Sequence, residues 1–192
     1  MCPPANLDDI VRSRGRSGGG SETVRITLLG GFSVSLGSRT IKQDKWRLRK
    51  AAGLVKLLAL AAEHRLHREQ VMDLLWPDLA PKAAANNLHY ALHNARQTLR
   101  TASRSASPYL RLQGEQLVIC SEGQLWVDVE AFEDAAGAAR RIREPAPYRR
   151  AIDLYAGELL PGDRYEEWAE ARRQELRRVF LSLLVELAGL YE

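Results

Sequence analysis

The residues best placed to do chemistry in this sequence lie between positions 81 and 100, in PKAAANNLHYALHNARQTLR. With Leu88 set at zero and 100° per residue, Ala84, Leu92, Ala95 and Leu99 fall within about 40° and face a core. Asn86, Tyr90, His93 and Gln97 fall opposite, at about 140° to 200° by the same period. Asn94 and Lys82 flank them, and the segment holds no Asp or Glu. Asn and Gln can pair with adenine edges, while Tyr and His can reach bases or phosphates. A solvated helix face usually mixes Glu with its Lys and Arg, so an acid-free face suits a polyanion. Asn86, Tyr90, His93, Asn94 and Gln97 are therefore the candidate base contacts of a double-stranded DNA reader.

Phosphate contacts need cations around that helix. Lys45, Arg47, Arg49 and Lys50 place four in six residues at the entry to an earlier helix. Cations there oppose the helix dipole, a cost of about 0.3–1 kcal/mol that a function would explain. Lys82, Arg100, Arg104 and Arg111 complete the phosphate candidates. Glu115, at the tip of a hairpin, repels phosphate and argues against deep insertion of that tip. The histidines suggest no metal site: His89 and His93 have i, i+4 spacing, but no Glu follows the first and no Cys or Asp cluster lies near. Neither a phosphate-binding glycine loop nor a nucleophile motif occurs. No enzyme activity, metal or cofactor is expected.

Charge is split along the chain. The 192 residues carry a net charge of +4, yet residues 24–126 hold 15 basic against 7 acidic residues, and residues 127–192 hold 10 against 14. A basic block followed by an acidic block predicts two units with different partners. Cys2 and Cys120 are the only cysteines, which excludes a disulfide scaffold and suits a reducing, cytoplasmic setting. The longest apolar run, 51–62, is too short to span a membrane.

The elements that would position these residues follow from period and punctuation. Residues 1–22 end in a Gly/Ser-rich stretch and read as a disordered tail. Residues 23–127 read as an α+β unit, beginning with a small antiparallel sheet around the turns Gly30-Gly31 and Gly37-Ser38. An amphipathic helix with one apolar stripe follows from Trp46 to Ala62. A second helix spans about 67–75 and stops at Trp76-Pro77. The third begins at Pro81. A hairpin turning at Gly114 follows, so the order is strands, three helices and a wing. Residues 128–192 read as all helix: about 129–143, 147–155 and 166 onward, with Trp168 as a buried aromatic on the last.

These stretches resemble a known family. ITLLGGFSVSLG, HRLHREQVMDLLWPD and AAANNLHYALHNARQTLR are similar to the winged-helix domain of the response-regulator output (OmpR) type, as found in the SARP-type antibiotic-regulatory activators of actinobacteria. AIDLYAGELLPG followed by WAEARRQELRR resembles the bacterial transcriptional activator domain, a set of tetratricopeptide-like helices. The resemblance covers about residues 24–192. It implies a sequence-specific transcriptional regulator, usually an activator on tandem promoter repeats. The third helix would lie in the major groove and the hairpin against the minor groove. Partners implied are DNA, RNA polymerase and a second copy on repeated sites. The third helix departs from the family's arginine-rich pattern, with Asn87, His89, His93 and Asn94 on it. The apolar final helix would pack on a further one in the family, so the activator domain reads as truncated. A second reading stays open, in which both units dock a protein partner and do not bind DNA specifically.

Overall fold

The computed structural model describes residues 23–102, 109–119 and 125–191. The tail 1–22, Arg104 and both cysteines lie outside them. Strands β1 (Val24–Thr27), β2 (Ser33–Leu36) and β3 (Arg39–Lys42) form the expected antiparallel meander. Val24 and Ile26 are buried and Arg25 is exposed, the period-2 signature of a half-covered sheet.

Helix α1 (Arg49–Leu60) starts three residues later than expected, because the backbone before it stays extended at Leu48. It also has no solvated face between Ala51 and Ala59, where every residue is buried, including Lys56. The single apolar stripe read from the sequence is corrected accordingly: a helix enclosed by neighbours on all sides has no solvent stripe.

Helix α2 (Arg68–Leu75) is capped by His67. Its Nδ1 accepts from the Glu69 amide, while the Gln70 side chain accepts from the His67 amide. After the Trp76-Pro77-Asp78 turn, Pro81 occupies the first turn of α3 (Pro81–Arg100). Ala84, Leu88, Ala91, Leu92, Ala95 and Leu99 form its buried face, matching the angular expectation.

Strands β5 (Leu110–Gln113) and β6 (Gln116–Ile119) make the hairpin, and β4 (Arg65–His67) adds to β6 as a third strand. The sequence had offered only a helix break at β4, because three residues containing Arg and His carry no alternating apolar signal. Strand β7 (Leu125–Val127) pairs parallel with β1, so the first sheet is mixed, with order β3-β2-β1-β7, and not purely antiparallel.

Three helices follow: α4 (Asp128–Ile142), α5 (Pro145–Leu154) and α6 (Glu167–Gly189). Arg143, left-handed at φ 56°, ends α4, and Pro145 begins α5 two residues earlier than the sequence suggested. Tyr155 ties the group together: its ring stacks on Phe180 at 4.3 Å and tilts against Phe132 at 5.3 Å. The inner side of α6 runs through Ala169, Arg173, Leu176 and Leu183. Trp168 is only half-buried and donates its indole N–H to Glu166 at 2.9 Å, which corrects its expected place in the core.

The 127/128 junction lies inside one continuous buried cluster. The Asp128 carboxylate accepts from the Leu28 and Leu29 amides, each at 2.8 Å. Burial pushes the Asp128 pKa up, and those amides oppose the shift. Leu29 bridges Leu159, the Gly30 amide donates to the Glu158 carbonyl at 2.9 Å, and the Leu160 amide donates to the Leu28 carbonyl at 2.9 Å. The two glycine-bearing motifs, LLGG and AGELLPG, thus lie against each other. Deeper in the seam, Lys56 Nζ donates to Asp163 at 2.6 Å and to Gln43 at 3.1 Å, and stands 4.6 Å from the Phe32 ring centre. Arg173 donates to the carbonyls of Leu159 and Asp163.

Two substitutions test this seam by denaturant unfolding. Gly30 sits at φ +74°, and a Cβ there would lie 2.9 Å from the Ala156 carbonyl oxygen. Gly30→Ala should therefore cost on the order of 1–3 kcal/mol; an unchanged midpoint would mean the two motifs are not in contact. Asp163→Asn strands a buried ammonium and should cost about 3–5 kcal/mol, with the Lys56→Met/Asp163→Leu double variant recovering much of the loss.

Candidate nucleic-acid interface

The outward face of α3 is set by its inward one. Once Leu88, Ala91, Leu92, Ala95 and Leu99 are buried, Asn86, Tyr90, His93 and Gln97 are exposed, with Tyr90 63% exposed. Asn94 is half-buried, and its side-chain amide donates to the Tyr90 carbonyl at 2.9 Å. That bond uses part of the hydrogen-bonding capacity the sequence reading assigned to a base. Lys82 and Arg100 stand exposed near the two ends of the helix.

Two anchors hold α3 in place. Arg96 donates its Nε to the Leu110 carbonyl at 2.9 Å, clamping the helix to the first strand of the hairpin. Burial, with a lesser contribution from Arg100, pulls the Arg96 pKa below its ordinary value. Arg39 donates to the Thr101 carbonyl at 3.3 Å, joining β3 to the end of α3. At the hairpin turn, the Glu115 carbonyl accepts from the Arg68 amide at 2.8 Å, and its carboxylate pairs with the Arg68 guanidinium at 3.3 Å. Glu115 is thus partly neutralised and anchors the hairpin to the start of α2.

A groove of about 930 Å³ runs between β3, the segment after it, and the C-terminal half of α3. One wall carries Arg39, Lys45 and Arg47; the other carries His93, Asn94 and Gln97. Lys45 pairs with Asp44 at 3.5 Å, with both side chains largely exposed. Among the described residues, no Asp or Glu lines the groove. Its positive wall and amide-bearing floor could hold a strand of phosphates beside base edges.

The structure divides the entry cluster. Lys45 and Arg47 reach the groove. Arg49 turns the other way, to Glu166 at 3.3 Å, and Lys50 pairs with the same carboxylate at 3.6 Å. Proximity in sequence did not reveal this, because the acid lies more than a hundred residues away. Asn86, Tyr90 and Lys82 lie along α3 outside the groove. Arg111 lies on β5 opposite Val118. Arg104 falls outside the described residues. Arg39 was missed by the sequence reading. Its signal was a lone cation just after the Gly37-Ser38 turn. Among the described residues, no group of three or more His, Cys, Asp or Glu side chains gathers as a metal site.

No protein-family model matches the chain, and no curated protein matches it. Among solved structures it is similar to Mycobacterium tuberculosis EmbR in complex with a low-affinity phosphopeptide, with a TM-score of 0.68 and 16% sequence identity. The match covers 88% of this chain and 45% of that one, so this chain spans under half the length of its neighbour. At that identity the likeness speaks to fold alone, and it is compatible with the winged helix followed by helices expected from the sequence.

Arg96→Leu removes the clamp between α3 and the hairpin. Amide hydrogen exchange in β5 and β6 should accelerate by about tenfold, for a lost bond of about 1.5 kcal/mol, while the middle of α3 stays protected. Unchanged exchange in the hairpin would show that its position does not depend on Arg96.

Proposed function

We propose that the chain is a DNA-binding regulator of transcription, with α3 in the major groove and the β5–β6 hairpin beside the neighbouring minor groove. The observation that carries this reading is the acid-free groove joining Arg39, Lys45 and Arg47 to the outer face of α3. Asn86, Tyr90, His93 and Gln97 are the base-edge readers, and Asn94 assists from its tethered position. Arg39, Lys45, Arg47, Lys82 and Arg100 hold phosphates on either side. The helical half, residues 128–192, serves as the activator unit, toward RNA polymerase and a second copy on repeated sites. The likeness to EmbR supports the reading at the level of fold, and the sequence resemblance supports an activator. Arg49 and Lys50 are left out of this set, because they lie outside the groove and face Glu166.

The test is duplex binding by the full chain across a range of salt. Arg47→Ala should weaken binding to specific and random duplexes alike and reduce the log–log salt slope by about 0.9. Arg49→Ala and Lys50→Ala should leave the slope unchanged. Asn86→Ala and Gln97→Ala should lose about 1–3 kcal/mol on the preferred site and little on random DNA. If the specific-to-random ratio survives both substitutions, α3 is not the reading helix. Binding that ignores salt in every variant would favour the alternative, a module that docks protein instead.

A further inference from the structure

A second groove, of about 910 Å³, lies between the α2–α3 turn and the start of α6, so each half of the chain supplies one wall. Its character is opposite to that of the first. Large apolar side chains stand open in it: Leu74 is 39% exposed, Leu79 41% and Tyr165 94%. Trp76 and Trp168, both half-buried, also line it. Asp73, Asp78, Glu166 and Glu167 also line it, and Lys50, the one cation among the described lining residues, is already paired with Glu166. Asp73, Asp78 and Glu167 have no ion-pair partner among the described residues. Glu167 lies in the first turn of α6, where the helix dipole stabilises its charge.

We infer that this groove is a docking site for a basic amphipathic helix of another protein, with apolar side chains one turn apart over Leu74, Leu79 and Tyr165 and lysines or arginines facing Asp73, Asp78 and Glu167. Two observations and one general property of helices select that occupant. Nucleic acid is repelled, because the groove is acidic in a chain that is basic overall. Open aromatic and leucine side chains beside unpaired charge make the combination that anchors and orients a protein partner. A partner helix presents residues i, i+3, i+4 and i+7 along one side, which suits a groove of this kind. The inference is independent of the DNA reading. It would place a partner across the seam between the two halves.

The test uses the full chain and three synthetic peptides. One is a lysine–leucine amphipathic helix. The second has the same composition but is scrambled to remove the apolar face, and the third replaces every lysine with glutamate. Binding is read by intrinsic tryptophan fluorescence, since Trp76 and Trp168 line the site, and by anisotropy of the labelled peptide. The lysine–leucine peptide should bind saturably and shift the fluorescence, while the scrambled and glutamate peptides should bind at least about tenfold more weakly. Asp73→Lys/Asp78→Lys and, separately, Leu79→Ser should each cost about tenfold in affinity. Asp153→Lys, which reverses an exposed acid away from the groove, should leave affinity unchanged. Far-UV circular dichroism verifies that each variant is folded. Equal binding of the scrambled peptide would overturn the inference, and so would affinity that is insensitive to the groove variants but lost in Asp153→Lys.

Discussion

The contact between Lys56 and Asp163 governs how this molecule is put together. Both side chains are almost wholly removed from water, a step that costs several kcal/mol per ion unless the geometry is good and further hydrogen bonds are made. Here those bonds exist: Gln43 accepts from Lys56, the Phe32 ring lies against the ammonium, and Arg173 holds the Asp163 backbone carbonyl. Burial still pulls the Lys56 pKa below its ordinary value, with Asp163 opposing the shift. A buried lysine in the middle of α1 is therefore tolerable only when the 161–163 turn is in place. The first helix of the basic half thus depends on the acidic half for its charge balance.

That dependence also sorts the surface cations. The seam that brings Asp163 to Lys56 brings Glu166 to Arg49 and Lys50, about two turns earlier on α1. Arg47 and Lys45, before the helix begins, point to the other side and join Arg39. A run of four cations in six residues therefore does two jobs, split at the point where the extended backbone becomes helix. One pair fixes the two halves together, and the other faces the outer side of α3. Because α3 is held by its buried face, by Arg96 and by Arg39, the groove wall that carries His93, Asn94 and Gln97 stands on an anchored helix.

What could be read from the sequence was what depends on local period and punctuation. The Pro81 start of α3, its buried and exposed faces, the Trp76-Pro77 stop and the Gly114 hairpin all follow from short-range rules, and the structure has them. What could not be read were partners distant along the chain. Strand β7 joins β1 across a hundred residues, and β4 is too short and polar to signal itself. The one-stripe reading of α1 failed because the side that carries Lys56 is covered by Asp163, more than a hundred residues on, together with Gln43 and Phe32. The pairing of Arg49 and Lys50 with Glu166 could not be read for the same reason: the acid is remote in sequence. Trp168 looked like core by residue type, yet its neighbour Ala169 takes the buried position and the indole lies at the rim of a groove. The Gly30 and Gly157 motifs were recognisable as motifs, but their reason, close backbone approach at the seam, needed three dimensions.

On the proposed function, Arg39, Lys45, Arg47 and the outer face of α3 form the nucleic-acid surface, and Arg49 and Lys50 lie outside it. Amide and side-chain chemical shifts of the isotope-labelled full chain, followed during titration with duplex DNA, test this directly. The largest shifts should gather at residues 39–47 and along the exposed side of 86–101, with little change at Lys50, Asp73, Asp78 and Tyr165. Shifts centred on Arg49, Lys50 and the α2–α3 turn, with Arg47 and Gln97 unmoved, would contradict it.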